Sequence, residues 1–193
     1  MGLLEVILKI ENQTVKGKSI SWILRCPTKN DATELSELRV KIDGETEYLD
    51  REAGEDFLGP EDCERIIIED LLSASSLFLI AEVEGKIVGF ARCAGNKLSR
   101  FKHKAEFGIC ILKEYCGYGI GRKLLESIVN WADSIGIEKI ALTVVQANEN
   151  AIHLYKKYGF IEEGLLRKDR IHKDGNYYNT IMMGRFRCNR DIN

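Results

Sequence analysis

No stretch of this chain is apolar enough for long enough to suggest a membrane span. The nearest, Leu3 to Ile10, is interrupted by Glu5 and Lys9. The same segment lacks a basic leader and a small-residue cleavage site, which argues against a secretory signal. Val6 stands where a myristoylation motif needs Ser or Thr. Six cysteines (Cys26, Cys63, Cys93, Cys110, Cys116, Cys188) include no C-x-x-C pair. Their neighbours are mostly apolar, so they read as reduced core residues, and a cytoplasmic protein is the expectation. His103, His153 and His172 fall at no metal-ligand spacing, and no metal is expected. A basic stripe interleaved with aromatics is also missing, which speaks against a nucleic-acid partner.

With 193 residues and 45% apolar content, the chain can bury one good core. One domain is expected over residues 20–187, with an N-terminal extension at 1–19 and a tail at 188–193. The net charge of −2 hides an asymmetry. From Asp31 to Asp70 there are fifteen acidic residues against four basic ones, a balance of −11, so the remainder carries +9. A solvated helix face is the plain reading of any one of these acids. Concentrated in one segment, they would attract a cationic partner, while the basic remainder suits a phosphate-rich one.

The most informative stretch is Gly117-Tyr118-Gly119-Ile120-Gly121-Arg122. Before it, Ala105 to Leu112 is short and apolar enough for a buried strand. After it, Leu124, Leu125, Ile128, Trp131, Ala132 and Ile135 recur at helical spacing. A strand, a glycine turn and a helix start make an anion cradle. Glycines let the backbone approach closely, and a helix N-terminus offers unpaired N–H groups and the positive dipole end. A P-loop would need Lys followed by Ser or Thr after its last glycine, and Arg122 stands five residues after Gly117 instead. The Gly17-Lys18-Ser19 triplet lacks its first glycine, because Asn12 occupies that place. In a dinucleotide fingerprint the third glycine would come one place later than Gly121. The acidic ribose ligand would end the next strand, whereas Glu138 opens it. A glycine turn with no ligand stays open at this point.

Downstream, Glu138 to Val145 reads as a strand and Gln146 to Phe160 as a short helix ending at Gly159. Here the chain resembles the GNAT superfamily of acetyl-CoA-dependent N-acyltransferases. That family carries Arg or Gln, then x-x-G-x-G/A, followed by N-x-x-A-x-x-L-Y-x-x-x-G-F. Gly119 and Gly121 match the first part; Asn148, Ala151, Leu154, Tyr155, Gly159 and Phe160 match the second. Cys116 departs from the pattern where Arg or Gln is usual, which removes one side-chain contact but no backbone donor. The likeness covers roughly residues 20–187 and is strong over 105–160.

The resemblance implies an α/β (α+β) GNAT fold: a mixed, mostly antiparallel sheet splayed between its fourth and fifth core strands, with helices on both faces. It implies acetyl-CoA as donor, pairing with the exposed strand edge at Ile109, Cys110 and Ile111 and held at Gly117, Tyr118, Gly119, Ile120, Gly121 and Arg122, with Asn148 and Tyr155 beside it. Direct transfer to an amine needs a base, donors for the carbonyl oxygen and a proton for the departing thiolate. Glu106 is the candidate base, through water, and Tyr155 the candidate acid. An ion pair with Lys104 or His103 is the plain alternative for Glu106, and a packed core tyrosine for Tyr155. Cys110 reads as a small core filler, since no neighbouring cation would lower its pKa. The acceptor is expected to be cationic: polyamine-like, another small amine, or a protein N-terminus. A homodimer stays open, as do an acetyl-CoA sensor without turnover and a dinucleotide-binding enzyme.

Coarse patterning supplies the remaining elements. Leu4 to Ile10 and Ile20 to Leu24 alternate as two strands around a turn at Asn12 to Ser19. Thr28 to Lys41 reads as a helix with a Thr28–Asp31 cap and Leu35, Leu38 and Ile42 inward. Asp43 to Gly59 reads as a loop, and Pro60 opens a helix through Leu72. Leu77 to Val83 and Lys86 to Ala94 form one hairpin. Phe160 to His172 and Asn176 to Phe186 form another around Lys173-Asp174-Gly175.

Overall fold

The computed structural model of the chain describes residues 9–17 and 19–187. Its regular elements are β1 (Gln13–Lys16), β2 (Ser21–Arg25), α1 (Ala32–Glu45), α2 (Pro60–Leu72), β3 (Leu77–Val83), β4 (Lys86–Gly95), β5 (Lys104–Ile111), α3 (Ile120–Ser134), β6 (Lys139–Val145), α4 (Glu149–Lys157), β7 (Phe160–Ile171) and β8 (Tyr177–Phe186). The strands form one sheet in the order β1-β2-β3-β4-β5-β6-β8-β7. Every neighbouring pair is antiparallel except β5–β6. This is the mixed, mostly antiparallel sheet that the family resemblance implies.

The parallel pair is short. β5 and β6 are in register only at Lys104–Lys139, Ala105–Ile140 and Glu106–Ala141. β5 nevertheless stays paired with β4 as far as Ile111. From Phe107 onward one edge of β5 therefore faces a gap, where unpaired peptide groups need a partner.

Side-chain alternation on β5 assigns the two faces of that gap. Arg92 on β4 reaches Asp70 on α2, with Nη2 donating at 2.9 Å, and Arg92 is in register with Gly108. Glu106, Gly108 and Cys110 thus share the face carrying α1 and α2. On the other face, Phe107 meets Tyr155 of α4 edge-on at 6.2 Å between centroids, and Ile109 and Ile111 lie against Gly121 of α3.

Packing explains why these elements hold. On α3, Leu124, Leu125, Ile128 and Ala132 are fully buried and Trp131 nearly so. Burying each Leu or Ile contributes roughly 1.5–3 kcal/mol of transfer free energy. Partly solvated ion pairs such as Lys123–Glu126 contribute far less. The apolar stripe therefore fastens α3 to the sheet. Ile135, expected in that stripe, is 43% exposed because the helix ends at Ser134.

At the start of α1, the Asp31 carboxylate accepts from the Thr28 N–H at 2.6 Å and from its hydroxyl at 2.9 Å. Arg25 grips the same carboxylate through both terminal nitrogens at 2.8 Å and donates from Nε to Glu82 at 2.8 Å. That fork ties β2, α1 and β3 together.

Two expectations need correction. Asn12 to Ser19 is not all turn, since Gln13–Lys16 is a strand paired with Ser21 to Leu24. Thr14 and Val15 favour the pleated surface, and the reversal is confined to the residues around Gly17, whose N–H donates to the Ile20 carbonyl at 2.8 Å. The expected strand from Leu4 to Ile10 lies almost wholly outside the described residues. The loop expected from Asp43 begins later, because α1 continues to Glu45. Gly44 and the acidic residues suggested a break, but a Cβ on Gly44 would meet Ala53 at 3.3 Å, so glycine there lets the loop pack against the helix.

Candidate active site

The glycine loop is built as an anion cradle. After a short 3-10 turn at Lys113–Tyr115, Gly117 and Gly119 adopt φ of 88° and 87°. Both values are strained for residues with a Cβ. A Cβ at either position would find nothing within 4 Å, so the space beside the loop is open. Gly119 is the N-cap of α3, and the first main-chain bond back to it comes from Lys123 at 3.1 Å. The N–H groups of Ile120, Gly121 and Arg122 precede that bond and have no acceptor within the helix. A Cβ on Gly121 would stand 3.0 Å from Ile111 Cδ1, so glycine there seats the helix start against β5. Tyr118 is 41% exposed. Arg122 is exposed, and its Nε donates to the Tyr158 hydroxyl at 3.2 Å. Cys116 donates its thiol to the Leu112 carbonyl at 3.6 Å and offers no charge to the cradle.

Glu106 and Tyr155 stand on opposite faces of the sheet at the point where β5 and β6 part. Glu106 is the last β5 residue in register with β6, and it is exposed. Among the described residues its carboxylate has no ion pair. Lys104, one alternative partner, places its ammonium 5.1 Å from the centroid of the Phe101 ring. Nothing lies within 4 Å of a Cβ on Gly108, so the strand face between Glu106 and Cys110 is clear. Tyr155 is 8% exposed and packs against Phe107 and Phe160. Burial, reinforced by the Cys110 thiol, raises its phenol above the usual range. The hydroxyl thus keeps its proton across the physiological range.

Burial first, then Asp43, pushes the Cys110 thiol up to about 12. A group held so firmly as the thiol is a poor nucleophile. Ile109, Cys110 and Ile111 are half-buried and line the open edge. Asn148 has a structural task, since its side-chain oxygen caps α4 by accepting from the Ala151 N–H at 3.3 Å.

A second feature escaped the sequence reading. The loop after α1 and the β7–β8 hairpin enclose a cleft of about 380 Å³. Glu47 clasps its two sides by accepting from the Lys173 N–H at 2.9 Å, and Arg170 donates to Asp50 at 3.0 Å. Within it, the Asp43 side chain is 4% exposed and lies 3.5 Å from Arg51 Nε. Burial pushes the Asp43 carboxyl up against the pull of Arg51 and Arg39. His172 stacks on Tyr178 with centroids 3.9 Å apart. These residues come from positions far apart in sequence, and no local spacing announces them. Among the described residues no group of His, Cys, Asp or Glu is arranged to hold a metal ion, and no described helix is long and apolar enough to cross a membrane.

A sheet opened between two parallel strands, beside a glycine-capped helix start, defines a class of protein that receives an extended, phosphate-bearing ligand along a strand edge. Comparison with known proteins narrows the class. A profile for the acetyltransferase (GNAT) family matches residues 44–160. The chain belongs to that family.

Over 108 residues it is 32% identical to the L-amino acid N-acetyltransferase AaaT of Escherichia coli K12, covering 55% of this chain and 66% of that protein. Over 95 residues it is 30% identical to a spermidine N(1)-acetyltransferase of Vibrio cholerae, covering 49% of this chain and 54% of the relative. The matches thus span about half to two thirds of these curated relatives. Among solved structures, a GNAT-family acetyltransferase of Streptococcus pneumoniae superposes with a TM-score of 0.82 at 29% identity, over 86% of this chain and 99% of that one. The yncA protein of Salmonella typhimurium, solved with acetyl-CoA, shares the fold with a TM-score of 0.75 at 18% identity, over 84% and 92% of the two chains.

Proposed function

We propose that this protein is an N-acetyltransferase that moves the acetyl group of acetyl-CoA directly to an amine carrying net positive charge. The observation that carries the reading is the gap beyond Glu106. It has an unpaired β5 edge along one side and a glycine-capped helix N-terminus at its end. When bound, acetyl-CoA supplies an activated thioester.

The chain's own residues do the rest. The N–H groups of Ile120, Gly121 and Arg122 bind phosphate oxygens, as helix N-termini do. Peptide groups of Ile109, Cys110 and Ile111 hold the extended arm as an added strand would be held. Glu106, free of an ion pair among the described residues, takes a proton from the acceptor ammonium through water. Tyr155 keeps its proton and offers it to the departing sulfur, first as a hydrogen bond. The acids of the Asp43 to Gly59 stretch draw the cationic acceptor to this side of the sheet. The relatives' named activities, on amino acids and on spermidine, agree on an amine acceptor.

Thermal-shift measurements with acetyl-CoA, NAD and ATP test donor choice, because a ligand that binds only the folded state raises apparent stability. A rise with acetyl-CoA alone is expected; a rise with NAD would return the dinucleotide reading.

A further inference from the structure

The cleft between the loop after α1 and the β7–β8 hairpin contains polar atoms left without partners by the fold. Asp43 Oδ1 and His172 Nε2 are both buried without hydrogen-bond partners among the described residues. Their side chains are 4% and 7% exposed. A buried carboxylate oxygen with no donor is costly, and stable folds rarely leave one without a use. Arg51 only half answers the need. Its Nε is 3.5 Å from Asp43 and misses hydrogen-bond geometry, while its Nη1 is 3.8 Å from Asp56. One guanidinium is thus divided between two carboxylates and held squarely by neither.

The charge of the cleft says what would complete it. Six of its lining residues are acidic, against Arg51, Arg170, Lys173 and His172. Arg170 is already engaged by Asp50, so the uncompensated charge is negative. The Asp43 and Arg51 charges also act on the Cys110 thiol at the open edge of β5. Two residues after Asp43 on α1, Glu45 accepts from the Lys113 N–H at 2.7 Å just past the end of β5, so the cleft borders the place where transfer would occur.

We propose that Asp43 is the acceptor-recognition residue: its carboxylate binds the distal ammonium of a diamine-like acceptor, and Arg51 is a displaceable counter-ion that gives way toward Asp56. This rests on the acetyl-transfer reading above and adds the residue that selects the acceptor. The reacting amine must give up its proton near Glu106, whereas the second amine stays charged and needs a desolvated anion. A carboxylate-bearing acceptor would enter the same negative field unfavourably.

Putrescine, butylamine and gamma-aminobutyrate separate the possibilities, because they share a four-carbon spacing and differ only at the far end. Thiol release from acetyl-CoA should be at least about tenfold more efficient with putrescine than with butylamine, and weakest with gamma-aminobutyrate. Asp43→Asn should bring putrescine and butylamine to near parity while the KM for acetyl-CoA stays put. Arg51→Gln should lower the KM for putrescine, because it removes the competitor for Asp43; a merely structural arginine would not give that sign. A preference for gamma-aminobutyrate, or a putrescine KM raised by Arg51→Gln, would overturn the proposal and make Arg51 an anion binder. If no amine releases thiol, the acetyl-transfer reading falls, yet calorimetry still decides this one. Putrescine binding that disappears in Asp43→Asn supports the assignment, and no binding to the unaltered protein ends it.

Discussion

Replacing Gly119 by aspartate probes the cradle more sharply than a bulky substitution would. At φ 87° any residue with a Cβ is strained by about 1–2 kcal/mol. Aspartate tolerates the left-handed region better than most residues and suits a helix N-cap, where negative charge gains about 0.3–1 kcal/mol. The Cβ itself would meet nothing within 4 Å. The variant should therefore fold, with stability lowered by no more than about 2 kcal/mol by these opposing effects.

Binding should respond quite differently. A carboxylate about 4 Å from a phosphate is opposed by about 4 kcal/mol at an effective dielectric of 20, and salt and water reduce this. A net loss of about 1.4–2.7 kcal/mol, or ten- to a hundredfold in affinity for acetyl-CoA, is expected by calorimetry. Gly119→Ala carries the strain without the charge and should lose no more than about threefold. Equal losses in both variants would mean that loop shape, not charge, is at issue. Unchanged affinity in a folded Gly119→Asp would remove the loop from the site.

Tyr155→Phe should lower turnover by about a hundredfold while acetyl-CoA binding stays within about twofold, because the phenol acts mainly in the transition state; equal losses in both would mark it as a packing residue. The Cys110 thiol, pushed up to about 12, should carry no acetyl group in acid-quenched turnover mixtures examined by peptide mass spectrometry, and acetyl-Cys110 would replace direct transfer with a covalent route. Asp31 governs acid stability: burial alone would push its carboxyl up, but hydrogen bonds from Arg25 and Thr28 prevail and hold it below the usual range. Its contribution, about 1–3 kcal/mol for a charge-assisted bond, is present above the unfolded value of about 3.9 and is lost as pH falls through the folded value; Asp31→Asn should flatten the stability curve there, measured by denaturant midpoints. Neutralising Asp50, Glu52, Glu55 and Asp56 together should raise the KM for a cationic amine and erase its salt dependence, since exposed charges act over about 8 Å at physiological salt; a KM indifferent to salt would leave them as solvated surface.

What was legible in the sequence was local. The Thr28–Asp31 cap, Pro60 at the start of α2, Lys173-Asp174-Gly175 between β7 and β8, and the glycine cradle all announce themselves within a few residues, because turn and cap chemistry is set by neighbours. The edge at Ile109 to Ile111 came from the family pattern, since no periodicity marks where two strands part. The Asp70–Arg92 pair joins a helix to a strand across 22 positions, and the Arg170–Asp50 contact spans 120. Such partners look like ordinary surface charges until the chain is folded. Asp43 shows the same limit most clearly. It reads as the first of seven acids in a loop, but α1 carries it into the cleft and leaves its oxygen without a partner.

The central claim is that an acetyl group passes to an amine in the gap between β5 and β6. Incubating the protein with acetyl-CoA and putrescine, while following free thiol and acetylated amine together, tests it most directly. The account predicts one acetylated amine for each thiol released, with turnover falling by about a hundredfold in Glu106→Gln while acetyl-CoA still binds. Tight acetyl-CoA binding without thiol release across a panel of amines, or thiol release without acetylated amine, would contradict it.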